Sequence, residues 1–183
     1  MVRFFLLLSV VAGMVFGGGH ALADVPPTAE LPPVFNGKDL SGWTTKEPQY
    51  WTVADGVLTG LNDEEKKGSM LYTDKAYGDV IFECEVRFEG EIDSGIMMRK
   101  PEVQVQIGVS RSLKRDMTCS FYVGGYPEEA QAKRAGELLK EGDWNRLRVQ
   151  AEGNTFTVWL NGEQVSSYTN DKYAKPGPIG LQI

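Results

Sequence analysis

One segment, Asp79–Glu89, alternates apolar and polar side chains over its whole length. Successive side chains of a β-strand point to opposite faces, so the segment predicts a strand with one core face and one polar face. Shorter segments of the same kind are separated by turn residues. Trp51–Leu58 contains an Asp-Gly turn, and Trp144–Leu160 contains a Glu-Gly-Asn turn. This succession predicts an all-β sandwich or barrel.

The first 23 residues have the pattern of a secretory signal peptide. Arg3 precedes the apolar run Phe4–Phe16, and a small-residue Ala-Leu-Ala site ends at Ala23. The run is shorter than the roughly 20 apolar residues that a membrane span needs. We therefore expect cleavage after Ala23 and an exported chain, periplasmic or secreted, that does not stay in the membrane.

The chain that remains has 183 − 23 = 160 residues, the size of one domain. Four prolines within 24–33 predict an extended lead-in. The β domain is expected over 34–183. Within it, Pro127–Lys140 is the one segment with helical composition, which predicts a short helical excursion.

Charge and histidine content limit the chemistry of the cleaved chain. Without Arg3 it has 18 basic and 25 acidic residues, a formal charge of about −7, which disfavours nucleic acid and anionic lipid as partners. Cleavage also removes His20, the chain's single histidine. This excludes Ser-His-Asp and Cys-His catalysis and imidazole ligands for zinc. If a metal is bound, oxygen ligands favour calcium.

The two cysteines of the cleaved chain, Cys84 and Cys119, fall on the inward side of their alternating segments. Export permits a disulfide, but pairing depends on a distance that the sequence does not give. The two cysteines could therefore be buried free thiols or form a disulfide, and both alternatives remain open.

A set of short motifs runs along the chain: Phe35–Trp43, Trp51–Leu58, Tyr77–Asp79, Ser94–Ile96 with Arg99, Asp143–Arg146, Leu160–Gly162 and Gly177–Gln182. Together these segments resemble the 3-keto-disaccharide hydrolase domain family. The resemblance covers nearly all of the cleaved chain. It implies a concanavalin A-like jelly roll, a β-sandwich of two antiparallel sheets.

The sequence departs from the family pattern at two places. The family usually has a Glu-x-Gln pair after the arginine strand, and the matching residues here are Gln104 and Gln106. A carboxylate is thus missing unless Glu102 replaces it. Members of the family also normally continue past the Gly-Leu-Gln-Ile segment into a closing strand. The expectation is either a truncated sequence or a sheet with an open edge.

The resemblance further implies cleavage of 3-keto-glycosides. A ketone at C3 of the sugar acidifies the C2 proton, so a base can remove it, the C1 substituent can leave, and water can add. This route needs a base, an enolate stabiliser and sugar contacts. It does not need the carboxylate pair of ordinary glycosidases.

The candidate site residues are taken from the polar sides of the predicted strands. Arg99 is the candidate for stabilising negative charge, because a guanidinium stays protonated. The candidate bases are Glu102, Glu83 and Glu85. The candidate sugar-binding residues are Gln104, Gln106, Tyr122 and Trp159.

Three functions stay open at this point. The first is an exported hydrolase or lyase acting on 3-keto-glycosides. The second is a carbohydrate-binding module without catalysis on the same fold, which the missing carboxylate favours. The third is an interaction domain whose open sheet edge pairs with another chain. The sequence does not indicate an oligomeric state.

Overall fold

The computed structural model describes residues 4–7, 31–65 and 67–183. Apart from Phe4–Leu7, the predicted signal peptide lies outside the described residues, as do residues 24–30 of the predicted lead-in. The described strands are β1 Phe4–Leu7, β2 Trp43–Thr45, β3 Trp51–Ala54, β4 Val57–Gly60, β5 Met70–Tyr77, β6 Val80–Phe88, β7 Asp93–Met98, β8 Val103–Ser110, β9 Arg115–Asp116, β10 Phe121–Tyr122, β11 Asn145–Glu152, β12 Thr155–Leu160, β13 Glu163–Thr169 and β14 Gly177–Gln182.

These strands form two antiparallel sheets. The back sheet has the order β13-β12-β11-β6-β1-β4-β3, and the front sheet has the order β10-β8-β7-β14-β5-β2, with β9 paired to β8. The two sheets pack face to face as a jelly-roll sandwich, which confirms the predicted fold class.

The strand predicted from alternation is β6, which lies at the centre of the back sheet next to β11. Val80, Phe82, Cys84 and Val86 are buried in the core, as the pattern predicts. Glu83, on the opposite face, is also only 3% exposed. The outer face of β6 is therefore covered as well.

Strand β1 comes from the predicted signal peptide. Its backbone pairs with both β4 and β6, with Phe4 opposite Gly60 on one side and Phe88 on the other. Cleavage after Ala23 would therefore remove a strand from the middle of the back sheet.

The core lies between the sheets and contains aromatic and branched aliphatic side chains. Phe121 of the front sheet meets Phe156 of the back sheet, with ring centroids 6.1 Å apart. Cys84 and Cys119 are both buried and both free, which resolves the open question of their pairing. Burial raises the pKa of each thiol, so both stay protonated at neutral pH.

The short helical excursion predicted within Pro127–Lys140 is confirmed. The structure has a 3-10 turn, Glu128–Ala130, and a four-residue helix α1, Ala135–Leu138. The link between them is held by tertiary hydrogen bonds. The Ala132 N–H donates to the Ser120 hydroxyl and the Lys133 N–H donates to the Val165 carbonyl. These two bonds use backbone N–H groups that would donate to helix carbonyls in a continuous helix.

Candidate functional site

The outer face of the front sheet is a polar groove that follows strands β8, β7 and β14. In the registers of these strands, Gly95 lies opposite Gln106 on one side and Gln182 on the other. Gln104 lies one step along β8, between Met97 and Tyr122 of the adjacent strands. The strand alternation thus brings three glutamines to one surface. We call this surface the front groove.

Hydrogen bonds join these glutamines into a network that ends on a carboxylate. Gln104 Nε2 donates to Gln106 Oε1 at 2.8 Å and to Gln182 Oε1 at 3.1 Å. Gln106 Nε2 then donates to Asp93 Oδ1 at 2.8 Å. Each amide is held in one orientation by its neighbour, so the groove presents fixed donors and acceptors.

Two glycines make room for the side chains on the floor of the groove. A Cβ on Gly95 would lie 2.6 Å from Gln104 Nε2, and a Cβ on Gly180 would lie 2.6 Å from the Tyr72 ring. The side chains of Gln104 and Tyr72 therefore lie directly over the backbone of a glycine. Burial and a hydrogen bond with Glu102 raise the pKa of Tyr72, so its hydroxyl stays protonated at neutral pH.

Asp93 lies at the β7 end of the front groove with both carboxylate oxygens engaged. Its Oδ1 accepts from Gln106, and its Oδ2 is 3.2 Å from Arg111 Nε. The Asp93 side chain is 24% exposed, whereas the Arg111 side chain is 69% exposed. The aspartate is thus held by two partners, whereas most of the Arg111 side chain faces solvent.

A cavity of about 220 Å³ lies at this end of the groove. Its lining is polar and aromatic: Asp93, Gln104, Gln106, Ser110, Arg111, Ser112, Tyr122, Tyr126 and Gln182. The Tyr122 and Tyr126 rings lie 5.1 Å apart, and Tyr122 is 38% exposed. An exposed ring beside fixed amides is the combination that binds sugars, because the ring can cover a C–H face while the amides bond to hydroxyls.

The structure brings four of the predicted site residues together on the outer face of the front sheet. Gln104, Gln106 and Tyr122 line the cavity, and Glu102 lies beside Tyr72 further along the same face. Asp93 pairs with Gly108, six positions along the chain from Glu102. At about 3.3 Å per residue the backbone positions of Asp93 and Glu102 lie roughly 20 Å apart along the groove. This separation is too large for a glycosidase carboxylate pair, which needs about 5–9.5 Å.

Three other predicted residues lie on the opposite side of the sandwich. Glu83, Glu85 and Trp159 are on the outer face of the back sheet. Glu83 pairs with Arg148 and lies 3.7 Å from Arg146 Nε. These contacts between adjacent strands account for the burial of Glu83. None of the three residues lines the cavity of the front groove.

Arg99 is separated from the front groove by a turn of the backbone. Its φ of 70° departs from strand geometry, and the side chain is only 2% exposed. Its guanidinium donates to Asp79 Oδ1 at 3.0 Å and to the Gly153 carbonyl at 3.1 Å, above the Phe156 ring. In this position Arg99 ties the front sheet to the β11–β12 turn.

Sequence reasoning missed Asp93, Arg111, Gln182 and Tyr126. One signal for Asp93 was present, because it precedes Gly95 by two residues and therefore lies on the same strand face. The other three reach the site through sheet order and loops, which no local pattern encodes.

Within the described residues, no group of three or more His, Cys, Asp or Glu side chains is placed to hold a metal ion. In the same part of the chain, no helix has the length and apolar character to span a membrane.

Several solved structures have the same architecture as this chain. A putative glycosyl hydrolase from Parabacteroides distasonis ATCC 8503 superposes with a TM-score of 0.61 at 20% identity, over 79% of this chain and 87% of that one. The β-glucanase of Bacillus licheniformis gives a TM-score of 0.59 at 13% identity, over 81% of each chain. At these identities the likeness shows the fold alone, a jelly roll.

The family follows from the sequence match. Residues 31–183 match the model of the 3-keto-alpha-glucoside-1,2-lyase-like domain, and the chain belongs to this family. The predicted family resemblance is therefore confirmed, and membership supports a carbohydrate-active protein. No curated protein matches the chain.

Proposed function

We propose that this protein is an exported enzyme that cleaves 3-keto-glycosides in the front groove, by removal of the C2 proton, elimination and hydration. The observation that carries the proposal is the position of Asp93, the one carboxylate among the residues that line the cavity. It lies at the end of a network of amides that offers hydrogen bonds to sugar hydroxyls. The family match supports the same substrate class.

In the proposed reaction Asp93 is the base. It takes the C2 proton, and the electron pair of that C–H bond forms the C2=C3 double bond of an enolate. When the ketone re-forms, that pair forms a C1=C2 double bond and the C1–O bond breaks. The leaving oxygen takes the proton from Asp93 and departs as an alcohol. Water then adds across the double bond to give the free 3-keto sugar. The ketone oxygen carries the developing negative charge, so a nearby cation lowers the barrier.

Arg111 is the cation placed for that role. Its guanidinium is paired with Asp93 and is largely exposed. When a 3-keto sugar enters, Arg111 moves from Asp93 Oδ2 to the ketone oxygen. This movement frees one carboxylate oxygen to act as the base. Gln104 and Gln182 then hold the remaining hydroxyls, the buried Gln106 keeps Asp93 and Gln104 in place, and Tyr122 covers the ring.

The experiment compares turnover of a 3-keto-disaccharide by the wild-type protein and by Asp93→Asn. The variant keeps the hydrogen bond from Gln106 but cannot accept a proton at neutral pH. Loss of a general base lowers kcat by about 10²- to 10⁴-fold. Glu85→Gln is the matched control, because it makes the same change on the back sheet and leaves turnover intact. Equal activity of Asp93→Asn and wild type would overturn the proposed role.

A carbohydrate-binding module without catalysis is the second candidate. The observation that favours it is that both oxygens of Asp93 are already paired and that the rest of the polar network is neutral. Calorimetry, which measures binding, and an assay of released free sugar together separate the two functions. A binding module binds the 3-keto-disaccharide and releases no free sugar, whereas the enzyme does release it.

Export is tested by the mass of the protein recovered outside the cytoplasm. We expect a chain that begins at Asp24. A mass that includes Phe4–Leu7 would mean that the N-terminal segment is retained.

A further inference from the structure

A second cavity adjoins the first across the Asp93–Arg111 ion pair. Its volume is about 370 Å³, larger than the cavity of the front groove. Asp93, Ser110 and Arg111 line both cavities. The ion pair is thus a shared wall, with the glutamine network on one side and the second cavity on the other. We call this second cavity the end cleft.

The end cleft differs in chemistry from the front groove. Apolar side chains contribute to its lining, namely Ile92, Val109 and Ile183. Its further charged lining residues, besides the paired Asp93 and Arg111, are Glu91 and Lys114. These two charges cancel, so the cleft does not select for an anionic or a cationic group. A neutral ring with an apolar face fits this lining.

We infer that the end cleft binds the leaving group of the substrate, a neutral pyranose or an aryl group attached to C1. This inference rests on the proposed function. The base acts on C2, and the bond that breaks is on the adjacent carbon. The leaving group therefore begins within two bonds of the atom that Asp93 contacts. With the 3-keto ring on the glutamines, that group crosses the Asp93–Arg111 wall and enters the end cleft.

The test uses two substrates that differ only in the leaving group, a 3-keto-disaccharide and a methyl 3-keto-glycoside. Val109 is partly exposed and lines the end cleft but not the front groove, so Val109→Trp fills the cleft and spares the 3-keto ring. We expect kcat/KM for the disaccharide to fall by at least about tenfold, with little change for the methyl glycoside. Thr52→Trp, at an exposed position of β3, adds the same ring away from both cavities and changes neither value.

Equal effects of Val109→Trp on the two substrates, or no effect on either, would overturn the inference. Failure of the proposed function is a different result, in which the wild-type protein turns over neither substrate. In that case dissociation constants for the two compounds replace kcat/KM. A selective loss of disaccharide affinity in Val109→Trp supports the cleft assignment, and a uniform effect or none contradicts it.

Discussion

Replacing Gly95 by alanine tests the construction of the front groove. The added Cβ would lie 2.6 Å from Gln104 Nε2, 2.8 Å from Gln104 Cγ and 2.9 Å from the Val105 carbonyl oxygen. The Val105 carbonyl belongs to the hydrogen-bond ladder between β7 and β8 and moves little. The Gln104 side chain must therefore move away from the floor of the front groove. Its bonds to Gln106 and Gln182 are then lost.

The magnitude follows from these contacts. Two hydrogen bonds at about 0.5–1.5 kcal/mol each give a loss of about 1–3 kcal/mol in the free energy of unfolding. Overpacking of a close-packed site costs a similar amount. Sugar affinity falls because the Gln104 amide no longer points into the groove. A loss of about 1.4–2 kcal/mol corresponds to roughly 10- to 30-fold weaker binding.

The assay is calorimetric titration of a 3-keto-disaccharide on the Asp93→Asn background, which prevents turnover, together with urea denaturation. Gly136→Ala is the matched control, since a Cβ there meets nothing within 4 Å. Because Gly136 lies in α1, alanine is expected to leave stability equal or higher by up to about 1 kcal/mol. If Gly95→Ala is folded and binds the sugar as tightly as Gly136→Ala does, the proposed role of Gln104 is refuted.

Three further predictions concern other parts of the molecule. Cys84 and Cys119 should be unreactive toward a thiol reagent in the native protein and give two thiols in denaturant; zero thiols would reveal a disulfide. Arg99→Met should lower the free energy of unfolding by about 1–3 kcal/mol in urea, because the hydrogen bonds from the buried guanidinium to the Asp79 carboxylate and the Gly153 carbonyl are lost, while the sugar affinity of the folded protein stays unchanged. Hydrogen bonds, chiefly from Ser41, lower the pKa of Asp39 to about 2, so its contribution to stability is present above about pH 4 and is lost as the pH falls toward 2. An NMR titration of the Asp39 carboxyl with a midpoint near 4 would contradict this value.

The strands and the fold could be predicted because their patterns are local. Alternation identified β6, since one of its faces must pack in the core. The same alternation placed Gln104 and Gln106 on one polar face, and the structure confirms that they lie together. The composition of Pro127–Lys140 predicted a short helix but not where it begins and ends, because tertiary bonds to Ser120 and Val165 outweigh helix propensity before Ala135.

The location of the site could not be predicted in full, because each sheet has a polar outer face. Glu83 and Gln104 look alike in the sequence, as members of alternating strands, and only the sheet order places them on opposite sides of the sandwich. Arg99 follows the alternation of β7, but a positive φ turns its side chain away from the groove. Arg111 approaches Asp93 through the turn after β8, which has no pattern in the sequence.

The measurement that tests the account most directly is a crystal structure of Asp93→Asn with a 3-keto-disaccharide bound. The account predicts the 3-keto ring against Gln104 and Gln182, with its C2 next to residue 93 and its leaving group in the end cleft. A sugar bound on the back sheet beside Trp159, with the front groove empty, would contradict it.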